Sequence, residues 1–170
     1  MILRLPLKLN AALRGGTPGV LAPHENPLLD WSVRAFGAGR KECVLLSNTR
    51  SLYSAVLDGV AGENAARFAE RVVGVIRAIL EGVGRGSLAG TGSELTPESV
   101  RFAKALDRSV TGSMNELVAY ATVLLAGGDL SVPEIGVRLN DLLLSALAGG
   151  ADKYGTPRDA FAELVAGMPP

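Results

Sequence analysis

Leucines occupy every second position from residue 3 to residue 9, and Arg4, Pro6 and Lys8 lie between them. This period of two predicts a half-buried β-strand at the start of the chain. Because Pro6 has no N–H to give to a ladder, we expect this strand to lie at a sheet edge or to end early. Residues 10–30 contain the runs GGTPG and PHENP and predict an irregular connection.

Three β-like runs follow. WSVRAF and KECVLLS are separated by GAGR, a pattern typical of a hairpin with a bulged or type I turn. SLYSAVL (residues 51–57) comes after NTR, and Asn48 favours a sharp turn there because asparagine tolerates left-handed conformations.

The period then changes to three and four residues. Apolar residues at helical spacing alternate with Glu and Arg and predict an amphipathic helix over about 63–81, capped by Asn64 or the residues just before it. Residues 82–96 are rich in glycine and predict a flexible loop. The loop lacks G-K-[ST] and follows a helix, so it does not fit a phosphate-binding loop.

ESVRFAKAL is ambiguous. Thr96 and Pro97 are suited to cap and open a helix, whereas Val100 and Phe102 alternate with Arg101 as in a strand. We favour the strand, because four strands cover a sheet face better than three.

Three helices are predicted in the last third of the chain. The first begins near Val110 and ends at Gly127. Four residues compete to cap it, namely Asp107, Ser109, Thr111 and Ser113, and Ser113 with Glu116 matches a capping box. The second is opened near Ser131 to Pro133 and ended by the glycine pair at 149–150. The third is capped by Thr156, with Asp159 completing a capping-box-like pair, and it stops at Gly167.

Strands therefore come first and helices later, without βαβ alternation. This order predicts an α+β fold, an antiparallel sheet of four to five strands packed on one face against three or four helices. The length of 170 residues favours a single domain over 1–170. Its parts are a strand-rich region over about 1–58, the helix over about 63–81, the glycine-rich loop over 82–96 and a mainly helical region over about 99–167.

Composition narrows the class of protein. Seventeen basic and seventeen acidic residues cancel, so we expect no concentrated basic face and consider nucleic acid an unlikely partner, ranked third among the functions. Cys43 is the single cysteine, which excludes an internal disulfide and fits a reducing cytoplasm. Arg4 and Lys8 interrupt the first apolar run, so we do not expect this run to be a signal peptide. We also expect no membrane-spanning helix, because no segment is apolar for long enough to cross a membrane.

Few residues suggest chemistry. His24 is the single histidine and lies in a Pro-flanked loop with no nucleophile motif nearby, so we expect a solvated loop residue. Cys43 lies in an apolar run, where a small buried residue is the usual role. The carboxylates are scattered, and we expect no cofactor and no metal. These residues do not decide whether the protein is an enzyme, and their scatter favours a protein without catalytic activity.

The stretch DRSVTGSMNEL (residues 107–117) supports two interpretations. In the interpretation that we favour, its small polar residues cap a helix, a role worth about 1 kcal/mol, and Asp107 and Glu116 satisfy the helix dipole from within the chain. Alternatively, the helix N-terminus binds a phosphate or carboxylate. Three hydroxyls exceed what a cap needs, and an asparagine in the first turn is a poor helix former. The candidate ligand-binding residues are Lys104, Arg108, Ser109, Thr111, Ser113 and Asn115.

The same stretch, together with three others, resembles the sequence patterns of a known family. Four stretches of the chain resemble patterns of a family of short bacterial proteins known only as a domain of unknown function. They are MILRLPLKL, SNTRSLYSAVL, DRSVTGSMNEL and the late LNDLLLSALAGGADKYGTPRDAF. That family's patterns include TN-x-x-T-L-(Y/F) and NRSVLGSMNDL. This chain has Pro6 in place of a threonine, Asp107 in place of an asparagine and Thr111 in place of a leucine. The resemblance supports the fold and implies no reaction.

The hypothesis from sequence is a non-enzymatic cytoplasmic binding or interaction module. The mean hydropathy of +0.27 is high and suggests that a second copy of the chain covers some apolar helix surface. The alternative is an enzyme or binding protein for a small anionic molecule at the helix start near residues 108–115.

Overall fold

The computed structural model describes residues 1–83, 94–106, 108–150 and 152–168, with the backbone alone at Ala38, Arg108 and Ser109. Within these residues we number five strands and five helices. The strands are β1 (Ile2–Arg4), β2 (Asp30–Ala38), β3 (Lys41–Asn48), β4 (Ser54–Asp58) and β5 (Arg101–Ala103). The helices are α1 (Leu7–Ala12), α2 (Ala65–Gly82), α3 (Arg108–Gly127), α4 (Val132–Leu139) and α5 (Pro157–Ala166). Single turns of 3₁₀ helix cover Pro27–Leu29, Pro97–Ser99 and Ser145–Leu147.

The strands form one mixed sheet in the order β4-β3-β2-β1-β5. β2, β3 and β4 are antiparallel neighbours, and a two-residue turn with Gly39 at a φ of +62° joins β2 to β3. β1 runs parallel to both β2 and β5. The predicted α+β class is confirmed, and β1 is the strand that departs from the antiparallel pattern.

Helices cover both faces of the sheet, which corrects the expectation of one covered face. On one face α1, α2 and α5 pack around Trp31, Val44 and Leu46. On the other face α3 and α4 pack around Cys43, Leu45 and Val56. The physical reason lies in β3, where four successive apolar residues are fully buried and alternate between the two cores.

β1 ends much earlier than its alternating pattern predicts. Pro6 adopts an extended backbone and is followed at once by α1, so residues 7–9 are helical. Leu9 is buried whereas Leu7 is 62% exposed. The early end expected from Pro6 is confirmed, although the strand lies inside the sheet and not at its edge.

Other element bounds also differ from the predictions. β4 begins at Ser54, because the residues before it form the turn that Asn48 holds through its side-chain oxygen. α3 begins at Arg108, so Ser113 lies inside the helix and the predicted capping box with Glu116 is wrong. α4 stops at Leu139 and does not continue toward residue 149.

Several local predictions are confirmed. Asn64 caps α2 by accepting from Arg67 N at 3.0 Å, and Thr156 caps α5 by accepting from Asp159 N at 3.1 Å. The predicted strand in ESVRFAKAL exists as β5. The part of the predicted glycine-rich loop at 84–93 lies outside the described residues.

The outer edge of β4 is closed by side chains of the same chain. The amide of Asn140, 2% exposed, accepts from Ser54 N at 2.7 Å and donates to Ser54 O at 2.9 Å. Arg71 donates to Asp58 O at 2.8 Å farther along this edge. Between them α4 approaches so closely that a Cβ on Gly136 would lie 2.9 Å from Val56 N.

Among the described helices, none is long and apolar enough to cross a bilayer.

Candidate functional site

A buried ion pair fixes the carboxyl end of β1. Arg4 Nε donates to Asp30 Oδ1 and Arg4 Nη2 to Asp30 Oδ2, both at 2.7 Å, and the two side chains are 0% and 6% exposed. Arg4 also donates to the carbonyl oxygens of Leu21 and Ala22, each at 3.1 Å. A buried guanidinium needs such additional acceptors to offset its lost hydration. Arg4 therefore holds the connection after α1 against the sheet.

The same network includes His24. The backbone N–H of His24 donates to Asp30 Oδ2 at 2.9 Å, and the ring Nδ1 accepts from the backbone N–H of Asn26 at 3.1 Å. Burial would raise the pKa of Asp30, but hydrogen bonds from Arg4 and His24 and the Arg4 charge outweigh it and hold that pKa below its usual range. Loss of hydration lowers the pKa of His24. His24 is half-buried and holds a turn, which corrects the expected solvated residue.

The sheet face under α3 and α4 carries a row of hydroxyls beside Arg4. Ser32 pairs with Ser47 across β2 and β3, and Ser47 pairs with Ser54 across β3 and β4. Ser47 Oγ and Ser54 Oγ lie 2.6 Å apart, and Ser32 Oγ lies 2.9 Å from Thr49 Oγ1. These hydroxyls are hydrogen-bonded inside the fold, as buried polar groups are expected to be.

A cavity of about 130 Å³ opens next to this polar row, between β2 and the first turns of α3. Arg4, Ser32 and Arg34 line it from the sheet, and Val110, Thr111 and Met114 line it from the helix. The Arg34 side chain is half-buried and, in the part of the chain that the structure describes, has no hydrogen-bond or ion-pair partner. A cation without a partner at a cavity is suited to bind an anionic group.

A second cavity of about 420 Å³ lies beside α1, which packs on the opposite face of the sheet. Its lining is mainly apolar and includes Leu9, Ala35 and Val44, with Lys8 and Glu42 as opposite charges. Pro6 and Arg34 line both cavities. We call the two cavities together the β2 cleft, because they flank β2 where β1 has ended.

The residues predicted from sequence to bind a ligand are dispersed. Thr111 is half-buried and lines the smaller cavity, and Ser113 is buried at 7% exposure. Lys104 and Asn115 are exposed, and the side chains of Arg108 and Ser109 lie outside the description. The structure brings Thr111 into the cleft, and ligand binding by the whole set stays a prediction.

Sequence reasoning missed Arg34, Ser32 and Arg4 as residues of the site. Arg34 interrupts an otherwise apolar and small strand, WSVRAF, and that single charge is the signal that could have identified it. Arg4 gave a weaker signal, because its burial depends on Asp30, which only the sheet brings close.

The other candidates for chemistry do not extend the site. Cys43 is buried at 1% exposure as expected, and burial, followed by the charge of Asp58, raises the pKa of its thiol. Among the described residues, no three His, Cys, Asp or Glu side chains are grouped so that they could hold a metal ion.

The family model for the domain of unknown function DUF6933 matches residues 2–160, almost the whole chain. The chain belongs to the DUF6933 family. No curated protein matches it. The matched range includes β1, the β2 cleft and the DRSVTGSMNEL stretch, so the cleft lies within the DUF6933 domain.

Proposed function

We propose that this DUF6933 protein is a non-enzymatic cytoplasmic binding module whose site is the β2 cleft and whose ligand carries an anionic group held by Arg34. The observation that carries the proposal is half-buried Arg34, a residue that lines both cavities of the cleft and has no side-chain partner in the described part of the chain. The cytoplasm is the compartment proposed, because it keeps a lone thiol such as that of Cys43 reduced.

Two further features support an anion at this position. The first turns of α3 line the smaller cavity, and the amino end of a helix favours negative charge. The cavity of about 130 Å³ is small compared with pockets for whole drug-sized ligands, which have at least roughly 300 Å³. It therefore suits one phosphate or carboxylate group of a ligand that extends beyond it.

The test is thermal unfolding in the presence of inorganic phosphate, short dicarboxylates and nucleotides. A ligand at a hundredfold excess over its Kd adds about 2.7 kcal/mol and raises the melting temperature by several degrees. We expect at least one compound to give this shift and the variant Arg34→Gln to lose it. The matched control is Arg101→Gln, because Arg101 is an exposed strand residue outside the cleft.

Arg108→Ala separates the cleft from the site predicted by sequence alone. A shift that is lost in Arg108→Ala but kept in Arg34→Gln would move the ligand out of the cleft, to the beginning of α3. The absence of a shift with every compound of the panel would contradict an anionic ligand.

Self-association is a second proposal, supported by the outward face of α3. The exposed residues of this face are Gly112, Asn115, Glu116, Ala119, Tyr120, Val123 and Ala126. Glu116 is the single charged residue among them, and Val123 is 67% exposed. Small residues let two helices approach closely, and a two-fold axis brings the same face of a second copy onto it.

We expect light scattering coupled to gel filtration to show a dimer at micromolar concentration and Val123→Glu to convert it to a monomer. Burying a carboxylate without a partner in the contact destabilises it strongly. Val137→Glu is the control, because Val137 is 58% exposed on α4, outside this face. A monomeric unmodified protein would contradict self-association.

A further inference from the structure

We propose that the open edge of β2 in the cleft binds an extended peptide segment of a partner protein by strand addition. The inference gives a partner class to the site proposed above and shares the cleft with it. It depends on a different observation, namely the backbone of β2.

β2 is much longer than the strand beside it. Nine residues form β2, whereas β1 pairs only with Asp30, Trp31 and Ser32. The remainder of β2 is paired with β3 along one side. Along the other side no described strand pairs with it. Ala35 and Gly37 in this segment are exposed.

Hydrogen-bond alternation shows which backbone groups are unpaired. Asn48 N donates to Tyr53 O at 2.8 Å, so Asn48 faces β4. Its neighbour Ser47 therefore faces β2, where it is paired with Ser32. Because backbone groups alternate along a strand, every second residue of β2 after Ser32 faces β3 and the others face the open side. The Val33 N–H is used in the pairing of Arg4 with Ser32. The backbone groups of β2 that face the open side are therefore the C=O of Val33 and the N–H and C=O of Ala35 and Gly37.

Pro6 explains why the ladder stops. Leu5 N donates to Ala103 O, so odd residues of this segment face β5 and even residues face β2. Position 6 would supply the next N–H to β2, and proline has none. The chain turns into α1 instead, so no described strand continues beside the later part of β2.

The two outer edges of the sheet differ from the open side of β2, because other groups of the chain bond to both of them. β4 is closed by Asn140 and Arg71, as described above. Beyond β5, Gly19 forms a bridge with Ala103, and its carbonyl accepts from Lys104 N at 2.9 Å. Proteins commonly protect strand edges in such ways. Against this pattern, an unprotected edge inside a cleft marks a place for an incoming strand.

The cleft also fits the side chains of such a strand. Side chains of an added strand alternate between the faces of the sheet. One set would enter the mainly apolar cavity of about 420 Å³ beside α1. The other set would enter the cavity of about 130 Å³ that Arg34 lines. The partner segment therefore alternates apolar residues with residues that include an acidic side chain.

A single extended segment fits this edge better than the sheet of a second copy. α1 lines the cleft on one face, and the first turns of α3 line it on the other. A second folded sheet would bring its own helices against both. The occupant we assign is thus a flexible acidic-apolar segment of another protein.

The test uses three fluorescein-labelled hexapeptides in which valine alternates with glutamate, serine or lysine. Fluorescence polarisation should show that the glutamate peptide binds and exceeds the lysine peptide in affinity by at least about tenfold. The glutamate peptide with N-methyl groups at alternate positions is the backbone control. It keeps the side chains, and it should not bind when the methyl groups replace the N–H groups that face β2.

Two variants of the protein test the edge itself. Ala35→Pro removes an N–H that faces the cleft and leaves the β3 ladder intact, so it should weaken binding about tenfold. The control is Arg101→Gln, at an exposed residue outside the cleft, which should bind as the unmodified protein does. Hydrogen exchange gives an independent measurement, because the Ala35 and Gly37 amides should be unprotected in the free protein and become protected with the glutamate peptide.

The outcomes separate this inference from the proposed function. No binding of any hexapeptide at about 1 mM, or equal binding of the N-methylated peptide, would overturn strand addition even if small anions stabilise the protein through Arg34. Conversely, a glutamate peptide that binds Arg34→Gln with undiminished affinity would overturn the anionic recognition while supporting strand addition. A dimer that Ala35→Pro dissociates would overturn the peptide in favour of edge pairing between copies.

Discussion

Replacing Arg4 by methionine is expected to lower the free energy of unfolding by about 3–5 kcal/mol, the effect of breaking a buried ion pair. The substitution leaves the Asp30 carboxylate buried with only backbone and hydroxyl donors, and it leaves the carbonyl oxygens of Leu21 and Ala22 without the guanidinium. Urea unfolding followed by circular dichroism measures the change.

The control is Arg101→Met, because Arg101 is exposed on the neighbouring strand and such substitutions usually change stability by less than about 0.5 kcal/mol. The double variant Arg4→Met/Asp30→Asn has a neutral amide in place of the buried, unpaired carboxylate at residue 30. It should therefore recover part of the free energy of unfolding that Arg4→Met loses. A loss below about 1 kcal/mol in Arg4→Met would show that the pair contributes no more than an exposed one.

Replacing Asn140 by alanine should cost about 1–3 kcal/mol, because it deprives buried polar groups of their partner. The amide serves both backbone groups of Ser54 on β4 and also donates to Gly136 O at 3.1 Å within α4. The change also opens the edge of β4, so the variant should aggregate faster near its melting temperature. Thermal unfolding with light scattering records both effects.

Asn115→Ala is the matched control, because Asn115 is exposed on α3. Alanine is also the better helix former there, so this control should be neutral or slightly stabilising. Equal stability of the two alanine variants would mean that the contact between Asn140 and Ser54 is not needed to hold α4 on β4.

Local sequence patterns predicted those parts of the fold that depend on local signals. The apolar run KECVLLS gave β3, and caps identified the beginnings of α2 and α5 at Asn64 and Thr156. The sequence could not show that β3 is buried on both faces, because a continuous apolar run in a short strand is also compatible with other buried elements.

Apolar spacing alone gave the wrong bounds at two points of the chain. The apolar spacing beyond Leu139 continues as in a helix, but the Asn140 side chain is engaged by β4 and the chain leaves the helix. Likewise, Leu7 and Leu9 continue the alternation of β1, yet Pro6 ends the ladder before them. A tertiary contact overrides the local spacing at residue 140, whereas the neighbouring proline overrides it after β1.

The candidate site was predictable only in part for the same reason. DRSVTGSMNEL pointed to the beginning of α3, and Thr111 does line a cavity there. The cleft itself exists because β1 is shorter than β2. Pro6 indicates the early end of β1, but no local pattern shows that β1 and β2 are neighbours or that β2 extends beyond their paired part. Arg34 acquires its importance from that unpaired length.

The position of β1 has a consequence for biosynthesis. β1 is made first but lies between β2 and β5, and its partner Arg101 is translated long afterwards. A nascent chain that has not yet released β5 from the ribosomal tunnel carries β1, a strand whose residues are all buried in the folded protein, with one of its two neighbours missing. Pairing of segments so far apart is slow. Holdase chaperones would accordingly have their greatest effect on the yield of this protein during that interval of translation.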